Sequence, residues 1–562
     1  GGNSRARVVG RERAFARSLR LEDKKQKTEQ LARNSRRLST GVRNGNIRTG
    51  MLLSPRCRSF VAEYQLTHHS IGRGMSGHVM LARPRGIPDG AAVAVKTLDK
   101  KGLSQREVQR LQREVDIYLG LDHAHIARLL RVFDEKKNIY LVMEYCDGGS
   151  LESRLAEQGQ FLPHIAADTL RQVLSALAYC HSRPWGAICH RDLKLANFVY
   201  ASASEGAPLK LVDFGLSCVL APGGGTNLKS CAGTLEFIAP EVLRGSKEGY
   251  DESCDLWSAG VICYCLLTGQ QPFAGSTRTE LLQAIEQGRP KAEACEAWGN
   301  QPEPTREFTE QLLQICPAQR PTAAQALQHC WLADSVSGHG EPQTPWLLGE
   351  ESVELLESVR SFSKESAATR AAAAVLVYST GPLAGNDAKF AEEQFRQLDT
   401  DGNGSLSVSE LTRSLQQAFG VSQEEGQAIF DGIDLVKDSE IERSEFLTAA
   451  LGFRAAASDR AVREAFDRLD LDGDGLVEPA ELSAVLGRQF CGQSAADILD
   501  DWGGGHGVQA ISFAQFQEVA ANMQRHVTSP MTPAISSCCS SGDSSPRPTD
   551  RWTTEPKLLT AC

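Results

Sequence analysis

The sequence predicts an α+β two-lobed fold followed by an all-α domain, and three observations carry that prediction. From Tyr64 to Asp147, short apolar runs are punctuated by glycine turns, the mark of a strand-rich lobe. Helical periodicity then takes over, as in Ala167, Leu170, Val173, Leu174 and Leu177. From residue 387 a helix-loop-helix unit returns about every 35 residues.

The 562 residues suffice for several domains. Lys and Arg total 60 against 70 Asp and Glu, a net charge of −10. The sign is unevenly spread: residues 1–58 hold 16 basic and four acidic side chains, or +12, leaving −22 for the rest. A basic arm ahead of an acidic body argues against a nucleic-acid-binding core. The 16 cysteines form no C-x-x-C zinc pairs and read as reduced thiols of an intracellular, cytoplasmic protein. Val261–Leu267, a short apolar run, falls well below the ~18 residues of a membrane span and reads as a buried helix. No apolar segment follows the basic start, as a secretory signal requires. The arm itself reads as solvated and disordered, with a membrane-surface arm or an organelle transit segment as alternatives. Arg5 stands where N-myristoylation wants Ser or Thr.

In the strand-rich lobe, Tyr64-Gln65-Leu66 leads into Ile71-Gly72-Arg73-Gly74-Met75-Ser76-Gly77-His78-Val79. Gly72, Gly74 and Gly77 let backbone approach phosphate oxygens, Val79 covers a base, and Ile71 joins the same nucleotide-binding set. A dinucleotide-binding fold needs a helix straight after Gly77; Val79-Met80-Leu81-Ala82 continues as strand, which favours a hairpin over phosphates. Val93-Ala94-Val95-Lys96 ends in a lysine whose charge is costly unless paired, and Ala94 lines the pocket. Ser104-Gln105-Arg106-Glu107 is a capping box opening a helix with Val108, Leu111, Val115 and Leu119 on one stripe. Glu114, at the edge of that stripe, is placed to reach Lys96. Ile139–Met143 is a strand. Met143 gates the pocket, and the linker after it offers backbone at Glu144 and Cys146 to an adenine edge.

The helical lobe carries the chemistry. In His190-Arg191-Asp192-Leu193-Lys194-Leu195-Ala196-Asn197, Asp192 can accept a hydroxyl proton, Lys194 can neutralise a phosphoryl group in flight, and Asn197 can hold magnesium. Strand Leu209–Val212 leads to Asp213-Phe214-Gly215, where Asp213 would chelate magnesium at the phosphates. Glu241 of Ala239-Pro240-Glu241 has a partner available in Arg320. Asp255-Leu256-Trp257 begins a buried central helix.

Lys96, Glu114, Asp192, Lys194, Asn197 and Asp213, in that order, resemble the eukaryotic protein kinases over residues 64–332. Lys194 and Thr234 mark the serine/threonine class, and the resemblance implies a bond from Thr234 to Asp192. It also raises an anion at Thr226, Ser230 or Thr234 as a means of ordering Arg191. In calcium-dependent relatives no such phosphate is required, and both routes stay open.

The repeats read as calcium loops. In Asp399–Glu410, Asp399, Asp401 and Asn403 supply oxygens at positions 1, 3 and 5, Ser405 its carbonyl, and Glu410 closes bidentately, with Gly404 making the turn. Asp470–Glu481 repeats this with Asp472, Asp474, Gly475 and the Leu476 carbonyl. Five acids in the third loop against three in the first predict tighter binding there. The second loop, Asp434–Glu445, has Val436 at position 3 and Ser439 where Gly belongs, but keeps Asp434, Asp438 and Glu445. The fourth, Gly504–Gln515, has lost its carboxylates. Position 8 is apolar in all four (Leu406, Ile441, Val477, Ile511), so the fourth unit is expected to survive as a strand partner of the third.

Between lobe and repeats, Val336–Glu350 reads as a connector, then Val353–Phe362 and Thr369–Val377 as helices, with Leu356, Val359 and Phe362 on one face. Kinase, junction and four EF-hands together resemble the calcium-dependent protein kinases of plants, algae and protists, over most of residues 64–525. In that family the junction holds an autoinhibitory helix that occupies the substrate cleft. The expected architecture is a two-lobed protein kinase fold followed by an all-α EF-hand (calmodulin-like) domain. The boundaries are a basic arm at 1–63, kinase domain at 64–332, linker and junction at 333–386, EF-hands 1 and 2 at 387–453, EF-hands 3 and 4 at 454–525, and a disordered Ser/Thr/Pro-rich tail at 526–562. Cys538-Cys539 in that tail is either lipidated or inert.

The resemblance implies calcium-activated transfer of the γ-phosphoryl group of ATP to protein Ser or Thr, with ATP, Mg2+ and Ca2+ as cofactors. Expected partners are protein substrates and, within one monomeric chain, the junction helix and EF-hand lobes. Nucleic acid is excluded, and membrane association rests on the basic arm alone. The rivals are a calcium-responsive scaffold with a non-catalytic kinase lobe, and a constitutive kinase with a calcium-buffering appendage.

One departure from the family matters. Relatives that prefer basic substrates carry Glu where Ser150 and Ala196 stand, so two carboxylates for substrate arginines are missing; Glu152 or Asp147 are the available substitutes. A weaker preference for upstream Arg is expected. A peptide-library profile dominated by Arg three residues before the phosphosite would contradict it.

Overall fold

Alternating Val, Ile and Tyr positions between glycine turns suit a pleated, half-buried surface, and they form one antiparallel sheet. The structure, a computed structural model, describes Leu52 and residues 59–528 except 75–76, 86–90, 102–104, 184, 205, 221–227, 229–231, 246–248, 274, 287–294, 335–349, 380–385, 457, 488 and 506. The basic arm to residue 51 and at 53–58, Met75 and Ser76, the Ser104 cap, Thr226, Ser230, the connector before Glu350 and the tail with Cys538-Cys539 lie outside the described residues. Strands β1 (Tyr64–Gly74), β2 (Gly77–Pro84), β3 (Val93–Asp99), β4 (Leu129–Asp134) and β5 (Asn138–Glu144) pair in the order β1-β2-β3-β5-β4. Their register sets Val79 opposite Lys96 and Ala94 opposite Met143. Helix α1 (Gln105–Leu119) joins β3 to β4.

Side chains packed on this sheet begin before Tyr64, within the segment read as the basic arm. Phe60 is fully buried, stacks on Tyr140 at 4.3 Å, and opens a short helix whose Glu63 pairs with Arg131. Leu52 is buried as well. The reason is apolar cover: Phe60 shields the Val93, Val95 and Val142 face of the sheet from water.

The helical lobe is built around α2 (Leu151–Gln158), α3 (Pro163–His181) and α4 (Ser253–Thr268). Cys254–Thr268 of α4 are all buried, the expected fate of a helix apolar on every face. Two small ladders flank the catalytic stretch: β6 (Ile188–Cys189) pairs with β9 (Cys218–Val219), and β7 (Phe198–Tyr200) with β8 (Leu209–Leu211).

The junction forms α5 (Glu350–Ser363) and α6 (Ala367–Ser379). Leu355, Leu356, Val359 and Phe362 of α5 share one apolar core with the EF-hand helices. Arg370 donates to the Gly432 carbonyl at 2.9 Å, and the Trp502 indole donates to the Ala368 carbonyl at 2.9 Å. The junction helix is therefore held by the EF-hands here, an arrangement different from occupation of the substrate cleft. Position 8 behaves as expected: Leu406 faces Ile441 and Val477 faces Ile511, all four fully buried. The last helix spans Phe513–Thr528, past the expected boundary at residue 525, and Phe516, Ala520 and Met523 form its buried stripe. The described residues through Val527 form one compact unit.

Arg320 makes a buried bidentate pair with Glu241, at 2.7 and 2.8 Å. Removing one partner strands a buried charge, so Glu241→Gln should cost about 3 kcal/mol. Arg244→Ala, which breaks an exposed pair with Glu286, should cost under about 1 kcal/mol. Thermal melts of the two variants check the contrast; equal shifts would contradict it.

Candidate functional site

A buried ammonium is stable only when paired. Lys96 is 1% exposed, and its Nζ sits 2.6 Å from Glu114 Oε1 and 2.6 Å from Asp213 Oδ1. Burial alone would lower the pKa of Lys96; Tyr118, Glu114 and Asp213 outweigh it and raise it. Burial likewise pushes the Asp213 carboxyl up, and Lys96 overrides this and holds it below the usual carboxylate range. Asp213 has φ 63°, in the left-handed region, which turns its side chain toward Lys96 as Phe214 buries behind it.

Around this pair lie the expected nucleotide residues. A Cβ on Gly77 would meet the Thr97 carbonyl oxygen at 2.3 Å, so the β1–β2 turn, paired at Gly74 and Gly77, needs glycine there. At Gly72 a Cβ meets nothing within 4 Å. Ile71 is exposed at the mouth, Val79 half-buried, and Ala94 and Met143 buried. The Glu144 N–H already donates to the Arg128 carbonyl at 2.9 Å, and its side chain lies 3.1 Å from Lys210. Cys146 is half-buried.

The catalytic stretch is tightly knitted. Thr234 donates to Asp192 Oδ1 at 2.7 Å. Lys194 donates to Asp192 Oδ2 at 3.1 Å and to Thr234 Oγ1 at 3.0 Å. The Asn197 amide donates to the Asp192 carbonyl at 2.7 Å, which leaves its own oxygen for a cation. Arg191, at φ 68°, donates through Nε to the Leu216 carbonyl at 2.7 Å, so backbone serves it where an anion was one route. The Thr234 hydroxyl is already engaged with Asp192.

Two positioning residues were missed in the sequence. Asp255 accepts from the His190 N–H at 2.8 Å and the Arg191 N–H at 2.9 Å, with His181 at 3.1 Å on the same carboxylate. The Tyr118 hydroxyl accepts from the Phe214 N–H at 3.2 Å. Its spacing four residues after Glu114, one face of one helix, was the available signal.

The first calcium loop closes on itself. Glu410 Oε1 accepts from Thr400 N–H at 3.0 Å and Oε2 from Ser407 N–H at 2.9 Å; Gly404 N–H, at φ 83°, donates to Asp399 Oδ2 at 2.8 Å. Ser405 N–H reaches Asn403 Oδ1 at 2.8 Å, and Asn403 N–H reaches Asp401 Oδ1 at 3.0 Å. Asp399, Asp401 and Glu410 converge within 4.8 Å, as do Asp470, Asp472 and Glu481. Asp399 Oδ1 is buried without a hydrogen-bond partner, the feature a hard cation with oxygen ligands would satisfy. Burial pushes the Asp399 carboxyl well up and that of Glu481 to about 7. In the third loop Gly475 N–H donates to Asp470 Oδ2 at 2.9 Å, and Leu476 N–H to Asp474 Oδ1 at 3.0 Å. The second loop keeps the same backbone, with Glu445 accepting from Leu435 and Val436 N–H at 2.8 and 3.0 Å, but exposed Val436 offers no ligand. In the fourth, Gln515 accepts from Ser512 N–H at 3.0 Å, a neutral amide in the closing acid's place.

The first two loops rest on the helical lobe. Ser175 of α3 donates to the Gly402 carbonyl at 2.7 Å, and a Cβ on Gly404 would strike the His123 ring at 1.9 Å. Asp122 accepts from Ser444 N–H at 2.9 Å, at the start of α7 (Arg443–Ala455). Arg183 lies 3.4 Å from Glu442. None of this docking was legible in the sequence.

Known families match this arrangement. A protein kinase domain model matches residues 65–332, an EF-hand domain pair residues 389–451, and an EF hand residues 462–486. Calcium-dependent protein kinase 5 of Plasmodium falciparum (isolate 3D7) is 31% identical over 427 residues, 75% of this chain and 71% of that one. Calcium-dependent protein kinase 3 of Oryza sativa subsp. japonica is 32% identical over 435 residues, covering 76% and 75%. Calcium-dependent protein kinase 13 of Arabidopsis thaliana is 30% identical over 444 residues, covering 78% and 80%.

Proposed function

The chain belongs to the calcium-dependent protein kinase family, and from that premise we propose how its own residues perform calcium-activated phosphorylation of protein serine and threonine. The observation that carries the reading is the 2.6 Å pair of Lys96 and Glu114, since kinase turnover requires that pair in place. Lys96 holds nucleotide phosphates beneath the Gly72–Gly77 turn, and Ile71, Val79, Ala94 and Met143 enclose the base, with backbone at Glu144 and Cys146 on its edge. Asp192, oriented by Thr234, accepts the proton of the substrate hydroxyl. Lys194 offsets charge that develops on the phosphoryl oxygens. Asn197 and Asp213 hold a divalent cation, magnesium in this reading, which supplies charge neutralisation at the phosphates.

Regulation lies within one chain, so a monomer suffices. Loops one and three hold calcium through Asp399, Asp401, Asn403, Ser405 and Glu410, and through Asp470, Asp472, Asp474, Leu476 and Glu481. With α5 buried among the EF-hand helices, that helix is kept out of the cleft. Moving a chain from mostly off to mostly on needs about 5.5 kcal/mol of differential binding, within reach of two calcium sites. No helix among the described residues is long and apolar enough to cross a membrane, and the basic arm is the segment suited to an anionic surface. The intact Lys96, Asp192 and Asp213 constellation disfavours a non-catalytic scaffold.

The test is ATP-dependent phosphorylation of a generic protein in calcium or in chelator. Turnover should fall at least tenfold in chelator. Asp192→Asn should lose about a hundredfold or more in calcium. Equal rates in calcium and chelator would remove the regulatory half of the reading. Calorimetry on Asp470→Ala and Asp399→Ala should show loss of the tighter and of the weaker calcium site respectively; equal affinities would count against that order.

A further inference from the structure

Phosphoryl transfer uses no thiol, yet three cysteines meet behind the catalytic stretch. Cys189 immediately precedes His190-Arg191-Asp192, Cys254 precedes Asp255, and Cys218 follows Asp213-Phe214-Gly215 by three residues. Cys189 Sγ lies 3.5 Å from Cys254 Sγ. Cys189 and Cys218 are directly opposed across the β6–β9 ladder. Opposed residues of an antiparallel pair have Cα atoms about 4.5–5.5 Å apart, inside the roughly 4.4–6.8 Å that a disulfide spans.

The bland account is that cysteines fill core space as small hydrophobes. It suits Cys189 and Cys254, which are buried, but not Cys218, which is half-exposed. The two also differ in ionisation. Burial pushes the Cys263 thiol up to about 12 and raises that of Cys189 too. Cys218 goes the other way: the Cys189 thiol opposite it lowers it against burial, and the Arg191 guanidinium adds to the effect. A metal site is a poorer account. The Asp255 carboxylate is already spent on His190, Arg191 and His181.

We propose that Cys218 and Cys189, with Cys254 behind them, form a hydroperoxide-reactive thiol site whose oxidation to a disulfide lowers phosphotransfer. The half-exposed Cys218 thiolate attacks one peroxide oxygen; the O–O bond breaks, an alkoxide or hydroxide leaves, and Cys218 becomes a sulfenic acid. The Cys189 sulfur then attacks the Cys218 sulfur. The S–S bond forms, the S–O bond breaks, and the departing hydroxide takes the Cys189 proton as water. In sum, two thiols and one hydroperoxide give a disulfide, an alcohol or water, and water. Cys254 can next attack Cys189 and release Cys218 as thiolate, which carries the bond into the core without further oxidation. A dithiol reductant reverses either state. Closing Cys189 and Cys254 from 3.5 Å to the bonded distance of about 2.05 Å moves the residues flanking His190 and Asp255 by a sizeable fraction of an ångström. Displacements of about 1 Å in a catalytic frame cost around a hundredfold.

The experiment uses the full-length, reduced, calcium-loaded chain, whose activity is established first. It is treated with hydrogen peroxide, desalted, assayed, and then alkylated and mapped by non-reducing mass spectrometry. Turnover should fall about tenfold or more and return with dithiothreitol. A cross-linked peptide should join Cys189 to Cys218 or to Cys254. Cys218→Ser should keep its basal activity and resist peroxide. Undiminished turnover after peroxide, or equal peroxide loss in Cys218→Ser, would overturn the proposal. So would a map that places the disulfide elsewhere, a result readable on the unmutated chain alone.

Discussion

The rest of the structure depends on one buried ammonium. Lys96 sits in β3 with almost no water around it, and a lone charge there would be costly enough to shift its pKa or unfold the lobe. Two carboxylates from distant segments hold it: Glu114 from α1 and Asp213 from beyond β8. The same contact therefore fixes a helix against the sheet and ties the strand-rich lobe to the helical one. Tyr118, a turn along from Glu114, receives the Phe214 N–H and extends that tie. Nucleotide pocket and catalytic stretch share a single electrostatic anchor.

A second constraint acts on the backbone. The catalytic stretch turns through a left-handed residue at Arg191, and a turn of that kind persists only where its surroundings over-determine it. Asp255, buried at the start of α4, supplies that determination by accepting two consecutive N–H groups. The EF-hands show the same logic. Glu410, Glu445 and Glu481 each collect several backbone N–H groups, and Gln515 retains part of that role without charge. Loop shape thus rests on these backbone bonds, which explains how the second and fourth units remain folded partners of the first and third.

The regulatory half links to the catalytic half through backbone hydrogen bonds and charged pairs such as Arg183 with Glu442. Asp122 caps the start of α7, and the Gly402 carbonyl of the first calcium loop is satisfied by Ser175. Burying those groups unpaired would cost about 1–3 kcal/mol each, so the contacts select one docked geometry. A glycine at position 404 serves two ends at once: the left-handed turn of the loop, and clearance for the His123 ring.

By itself the sequence determined which candidate residues stand at fixed spacings along the chain. Lys96, Glu114, Asp192, Asn197 and Asp213 stand in order, the first and third calcium loops repeat a fixed ligand pattern, and position 8 predicts both short ladders. The strands of the first lobe and the helices of the junction were legible for the same reason, since periods of two and of 3.6 are local properties. Only the tertiary structure decided what comes from residues far apart in the chain. Phe60 reads as part of a polar arm until the sheet it covers is assembled. Asp255 reads as the start of a helix until the catalytic stretch folds over it. Asp122, Ser175 and His123 become a docking site only when a loop more than 200 residues away arrives. Cys189, Cys218 and Cys254 look scattered along the chain. Packing alone brings these residues together, because burial is set by neighbours in space, and sequence spacing carries no record of them.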